Sequence, residues 1–324
     1  MTEHLPAPLP QHETTQPSLG AELQALWQTM RPHQWVKNVF VLVPLVFAGP
    51  ELLVQQRLSF TMVARVMLAA LCFCLASSAT YVLNDLLDAE ADRAHPVKRL
   101  RPIAAGLLPA ARAKRWLAAL LAFDATLTLA IACWVGESGV VFGLTIAGYF
   151  VQNLAYSLGL KKIAYVDAAI IATGFLLRVL AGSAAAPVPA SHWLLACTAL
   201  LAMFLALGKR KHEVLTSDVK HRANLRDYRL SHLNFALAIL AILTSAAYLL
   251  YTLDLETVRR FHTSRLPWTT PFGVFGLWRF SRLLDARDTA HSPTERMLRD
   301  RPFLINLAAG TITVGLLIYG VLPE

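Results

Sequence analysis

Tyr81-Val-Leu-Asn-Asp-Leu-Leu-Asp-Ala-Glu-Ala-Asp92, followed by Arg93-Ala-His-Pro-Val-Lys-Arg-Leu-Arg-Pro-Ile103, is where a long apolar run ends in carboxylates and then in bases. Read as a helix at about 100° per residue, Asn84, Asp85, Asp88 and Asp92 fall within roughly one quadrant, while Glu90 points elsewhere. One face then presents an amide and three carboxylates. Three carboxylates side by side repel one another unless a cation joins them. A hard divalent ion such as Mg2+ takes oxygen ligands and keeps coordination positions for phosphate oxygens. The stretch therefore predicts a face that holds a metal–diphosphate complex. A solvated helix end with i,i+4 ion pairs is the bland alternative, and it is disfavoured because carboxylates beside a membrane are costly and tend to be functional.

The apolar run before this stretch sets the fold class. The chain of 324 residues is 56% hydrophobic, with a mean hydropathy of +0.48, beyond what a soluble domain carries. Windows of about 20 residues place spans near 36–55, 60–83, 114–134, 138–158, 166–186, 191–208, 231–252, 267–284 and 303–321. The expectation is an all-α polytopic membrane bundle of about nine transmembrane helices. The eighth span is the weakest, since Arg279 and Arg282 shorten its apolar part and Pro267 and Pro271 break its start. Residues 1–20 carry four prolines and no apolar periodicity, so they read as a disordered cytoplasmic tail before one membrane-embedded domain, 21–324. No signal peptide is apparent.

Charge gives the topology. Of 30 Lys and Arg residues, seven lie in 84–115, two in 159–165, seven in 209–229 and six in 279–301, on alternate connections. By the positive-inside rule the amino end and the acidic stretch face the cytoplasm and the carboxyl end lies outside. The expected location is a bacterial-type inner membrane with a cytoplasmic site. The net charge of +9 is mostly this bias, with attraction to anionic lipid or phosphate added. No nucleic acid partner is expected, and a homo-oligomer is left open. Cys72, Cys74, Cys133 and Cys197 all fall inside predicted spans and suggest neither disulfide nor zinc.

Three further regions carry polar residues to the same side. In Met30-Arg-Pro-His-Gln-Trp-Val-Lys-Asn38, Lys37 reads as a phosphate contact, and Arg31 reads equally as that or as a snorkelling anchor beside Trp35. Between spans four and five, Tyr156 and Lys161 are candidate donors to a phosphate or sugar. Asp167 opens the next span as a site residue or a helix cap. Arg178 lies on nearly the same side three turns deeper, and a charge that far into an apolar helix normally faces a polar cavity. Leu207-Gly-Lys-Arg-Lys-His-Glu213 fits phosphate capture by Lys209 and Arg210 after a glycine turn, although it is not a Walker motif. Ser292-Pro-Thr-Glu295 reads as structure orienting the ninth span.

At Asn84-Asp-Leu-Leu-Asp88-Ala-Glu-Ala-Asp92, with Arg101-Pro-Ile103 and nine spans, the chain resembles the UbiA-type membrane prenyltransferase superfamily. Arg31-Pro-His-Gln-Trp-Val-Lys-Asn38, Tyr156-Ser-Leu-Gly-Leu-Lys161, Leu207-Gly-Lys-Arg210 and Ser292-Pro-Thr-Glu295 look like its decaprenyl-phosphate phosphoribosyltransferase branch, from which His33 departs where Arg is common. Prenyl-diphosphate users resemble one another in a second motif with two aspartates four apart, and the position four after Asp167 is Ile171. The resemblance implies transfer of 5-phosphoribose from 5-phosphoribosyl 1-diphosphate to a polyprenyl phosphate, with Mg2+ as cofactor. It implies Asp85, Asp88 and Asp92 as metal ligands, with Asn84 orienting the sugar or diphosphate. Lys37, Arg101 and Lys161 would neutralise phosphate, and Lys209 and Arg210 would take the 5-phosphate or the lipid phosphate. Tyr156, Asp167 and Arg178 follow as second choices. The rivals are a prenyltransferase moving an isoprenoid chain onto an aromatic acceptor, and a transporter or flippase of a phosphorylated lipid.

Overall fold

The computed structural model describes residues 18–216, 225, 227–285 and 293–320, and all regular structure among them is helical, with no strand. Helix α1 (Leu19–Met30) opens on Ser18, whose hydroxyl accepts the Ala21 N–H at 3.3 Å. The expected tail boundary at residue 20 thus falls inside a helix, and residues 1–17 lie outside the described ones. Arg31 ends α1 in the left-handed region at φ 54°, and the chain turns into a 3-10 stretch, Pro32–Val41, and then α2 (Val43–Val54).

Next come α3 (Phe60–Leu87), the short α4 (Ala89–Arg93), α5 (Ala110–Val135), α6 (Gly139–Leu158), α7 (Val166–Ala185) and α8 (His192–Thr216). The chain continues with α9 (Leu230–Leu253), α10 (Leu255–Phe261), α11 (Thr270–Leu284), α12 (Pro293–Met297) and α13 (Arg301–Ile318). Among the described residues, eight helical segments are long and apolar enough to cross a membrane, the first being Pro32–Val54. The expected eighth span, 267–284, is the one not among these eight: its α-helix, α11, has 15 residues. The cause is the start at Pro267 and Pro271, where the chain forms a 3-10 turn, Leu266–Thr269.

The two larger of four apolar clusters among the described residues hold the bundle. One joins α3, α6 and α7 through Phe73, Phe142, Ile146 and Ala181. The other joins α8, α9 and α11 through Phe204, Leu207, Leu233 and Phe280. Small residues allow close approach where helices meet. A Cβ on Gly182 would stand 1.8 Å from the Val41 carbonyl oxygen, so α7 can press against the 3-10 entrance only with glycine there. Gly208 is likewise a packing residue under Phe280 and not a turn. Helix α8 runs on to Thr216, eight residues beyond the expected end of span six, and carries Lys209 and Arg210 on a continuous helix.

Candidate active site

Helix α3 delivers the acidic face. Asp88 ends it at φ −92°, ψ 0°, yet Asp88 N–H still donates to the Asn84 carbonyl at 2.9 Å and Asp92 N–H to the Asp88 carbonyl at 2.8 Å. The one-residue hitch therefore preserves the helical spacing, and Asp85, Asp88 and Asp92 stay at the same end of the bundle.

Three other segments meet these acids. Arg31, aimed by its left-handed turn, donates from NH2 to Asp85 Oδ1 at 2.7 Å and lies over the Tyr81 ring at 4.8 Å. Arg101, on the extended residue after a 3-10 turn, places NH1 3.1 Å from Asp85 Oδ1 and 2.7 Å from Asp92 Oδ2. Lys161, from the α6–α7 connection, reaches both Asp88 oxygens at 2.6 and 2.8 Å. Ser157 donates to Asn84 Oδ1 at 3.3 Å. Each aspartate is paired with a cation, Arg101 being shared by Asp85 and Asp92, and no three His, Cys, Asp or Glu side chains among the described residues converge as a ready metal nest. The donor set nevertheless suits Mg2+. This ion binds through one or two carboxylates plus waters and phosphate oxygens, and a single Arg101 nitrogen already bridges two carboxylates.

The second acid–base group is closed. Asp167 is wholly buried and Arg210 is 1% exposed. Arg210 Nε stands 2.7 Å from Asp167 Oδ2 as an ion pair, and Arg210 NH1 donates to Glu213 Oε2 at 2.5 Å. Tyr228 Oη donates to Asp167 Oδ1 and accepts the Tyr165 N–H at 2.7 Å. Burial, together with the Asp167 hydrogen bond, pushes the Tyr228 phenol far above its ordinary range. Lys209, one position before Arg210, is exposed, because neighbours on a helix lie about 100° apart. Tyr156 stands within electrostatic reach of both Arg210 and Tyr81. Ile171 packs against the apolar core around Phe204.

Deeper still, Arg178 donates from Nε to Asn38 Oδ1 at 2.8 Å, from NH1 to the Gly174 carbonyl at 2.8 Å and from NH2 to Tyr149 Oη at 3.2 Å. The rings of Phe73, Tyr149 and Phe175 surround its guanidinium. Three neutral acceptors and three π faces hold this cation. Lys37 is in electrostatic range of Lys209, Arg178 and Arg31, so a cation-rich zone adjoins the carboxylate face.

The sequence reading missed Arg31 as an acid partner, although its place before Pro32 at the membrane entrance was the available signal. It also missed Tyr228 and Glu213. A tyrosine in a polar loop and a glutamate in a basic run carry no signal of burial.

Helices of this length packed around one polar end, with acids and bases from four connections meeting there, define a polytopic membrane protein with one charged end. Residues 41–299 match the UbiA prenyltransferase family, and the chain belongs to that family. It is 34% identical to a decaprenyl-phosphate phosphoribosyltransferase of Mycolicibacterium smegmatis, over 95% of this chain and 97% of that one. The enzyme of the same name from Corynebacterium glutamicum is 33% identical over 90% of this chain and 86% of its own. Among solved structures, a UbiA homolog from Archaeoglobus fulgidus bound to DMAPP and Mg2+ superposes with a TM-score of 0.65 at 18% identity, covering 92% of this chain and 100% of that chain. That likeness shows the fold.

Proposed function

We propose that this chain is a Mg2+-dependent phosphoribosyltransferase that joins 5-phosphoribosyl 1-diphosphate to a polyprenyl phosphate of decaprenyl type and releases diphosphate. The observation that carries the reading is the cluster of Asp85, Asp88 and Asp92 with Arg31, Arg101 and Lys161. It lies in a chain related along nearly its whole length to enzymes of that name.

An oxygen of the lipid phosphate attacks the anomeric carbon of the sugar. The bond from that carbon to the diphosphate oxygen breaks, and the diphosphate leaves with the electron pair. No general base is needed, since the attacking phosphate is already ionised. Positive charge grows on the sugar ring while negative charge grows on the leaving group, so positioning and charge stabilisation carry the rate. When bound, Mg2+ supplies neutralisation of that leaving charge. Asp85, Asp88 and Asp92 are the residues to hold it, with Asn84 orienting the donor. Arg31, Arg101 and Lys161, now paired with carboxylates, turn to phosphate oxygens. Lys37 and Lys209, with Arg178 beneath them, favour the second phosphate, that of the lipid. Arg210 belongs with Asp167 as framework. The Lys and Arg excess on the site's connections supports a cytoplasmic active site in a bacterial inner membrane, and the product fits the supply of lipid-linked pentose to a cell envelope.

The test uses purified protein in detergent with polyprenyl phosphate, Mg2+ and radiolabelled 5-phosphoribosyl 1-diphosphate. Labelled lipid is the expected result. Absence of labelled lipid, with product from prenyl diphosphate and an aromatic acceptor, would replace this reading with that of a prenyltransferase.

A further inference from the structure

We infer that Tyr228 is a positioning residue for the diphosphate site, setting the α6–α7 connection that carries Lys161 to Asp88. The inference rests on the proposed function only in taking the Asp85–Asp92 face as a metal–diphosphate site.

Tyr228 lies just before α9, is 4% exposed and packs with Leu225 and Leu233. Its hydroxyl has one proton and lone pairs to place, and both kinds of bond are made. It donates to Asp167 Oδ1 on α7 and accepts the backbone N–H of Tyr165 at 2.7 Å. Asp167 is held in turn by Arg210 on α8. The phenol oxygen therefore ties the segment before α9 to the start of α7, and Asp167 carries the link on to α8.

Tyr165 makes this link informative. Its backbone sits at φ 66°, ψ −36°, outside the small left-handed basin open to L residues. Such a conformation persists only where surroundings over-determine it. The surroundings here are the Tyr228 hydroxyl and the Tyr228 ring, whose centroid is 4.7 Å from that of Tyr165. Tyr165 is the last residue before α7. Four residues earlier Lys161 leaves the 3-10 turn Leu160–Lys162 to place Nζ 2.6 Å from Asp88 Oδ1. The connection is too short for its two ends to move independently. Its α6 end is tied by Gly159 N–H to the Ala155 carbonyl and its α7 end by Asp167 N–H to the Ile163 carbonyl. Loss of the Tyr228 hydroxyl frees the turn at Tyr165, and the ammonium that accompanies Asp88 loses its fixed place.

Three full-length proteins, Tyr228→Phe, Lys161→Ala and the double variant, are compared with wild type for affinity toward Mg2+ with inorganic diphosphate, by calorimetry in detergent. Tyr228→Phe is expected to weaken binding about tenfold. The double variant is expected to bind no more weakly than Lys161→Ala alone, because both changes remove the same contact. A folded Tyr228→Phe protein with wild-type affinity, or losses that simply add in the double variant, would overturn the proposal. If Tyr228→Phe does not fold, Tyr165→Gly keeps the Tyr228–Asp167–Arg210 contacts, removes the ring that packs on Tyr228 and relaxes the turn. It is expected to weaken diphosphate binding about threefold, and unchanged affinity there also overturns the proposal. Diphosphate binding without formation of labelled lipid defeats the phosphoribosyl reading and leaves this one standing, while a wild-type protein that does not bind diphosphate defeats both.

Discussion

Two groups of the same residue types lie side by side at one end of the bundle and are built for opposite purposes. In the first, Asp85, Asp88 and Asp92 meet Arg31, Arg101 and Lys161, whose side chains remain 21–24% exposed. In the second, Asp167 and Arg210 meet with side chains 0% and 1% exposed. A pair whose cation still touches solvent can exchange it for a metal ion and phosphate at little cost in desolvation. A sealed pair cannot, since breaking it leaves a bare charge in a low dielectric. Exposure of the cation, more than the presence of the acid, separates the site from its support.

The largest effects test that division directly. Asp88→Asn removes a charge from the open group, and turnover is expected to fall about 10³-fold while the thermal midpoint in detergent stays near that of wild type. Full turnover of this variant at limiting Mg2+ would break the metal assignment. Arg210→Met reverses the pattern. It strands Asp167 without its cation and is expected to destabilise the fold by about 3–5 kcal/mol. Adding Asp167→Leu in the same chain should recover much of that loss, because a buried ion pair can be replaced by apolar side chains of similar volume. Chemical denaturation of the three proteins checks this, and a double variant no more stable than Arg210→Met alone would show that Asp167 is needed for more than its pair.

The division also explains what could be read from the sequence. The membrane bundle, its polar end and the acidic face on α3 follow from the lengths of apolar runs and from the spacing of Asp85, Asp88 and Asp92, which are local properties. Asp167 and Arg210 were legible as polar residues near the site, but their pairing depends on α7 meeting α8 43 residues later, and no local pattern encodes it. Tyr228 was invisible for the same reason. The α8 end was misread because hydropathy falls at Lys209 while helix propensity does not. The run of Lys, Arg, His and Glu after Gly208 continues a helix without an apolar face.

A smaller effect concerns a pair outside both groups. Asp300 caps α13 by accepting the Phe303 N–H at 2.9 Å and holds Arg279 through two bonds of 3.0 and 2.7 Å. The hydrogen bond from Arg279, foremost, keeps the Asp300 carboxyl below its usual range. A carboxylate depressed in the folded state adds stability above its unfolded value of about 3.9, and that stability is lost as pH falls through the folded value. Asp300→Ala should cost about 1 kcal/mol between pH 6 and 8. The gap from wild type should narrow below pH 4, read as thermal midpoints across that range. A gap that persists at low pH would mean that the side chain acts there by packing and not by charge.

The smallest effect is expected at a buried acid that belongs to neither group. Asp124 on α5 is wholly buried, more than half-way along a membrane-crossing helix. Neither of its oxygens has a hydrogen-bond partner of good geometry, and its interacting neighbour is Cys72 on α3. An intramembrane acid is ordinarily a functional candidate, and burial alone would rank Asp124 beside Asp85. The comparison above ranks it otherwise, because among the described residues no Arg or Lys forms an ion pair with it. Asp124→Asn keeps the side chain's shape and removes its capacity to ionise. Turnover is expected to stay within about twofold of wild type, and stability within about 1 kcal/mol, measured on the same detergent preparations. A large loss of turnover in a stable Asp124→Asn protein would show that an acid here serves the reaction without a cation beside it, and the rule drawn from the two groups would then fail.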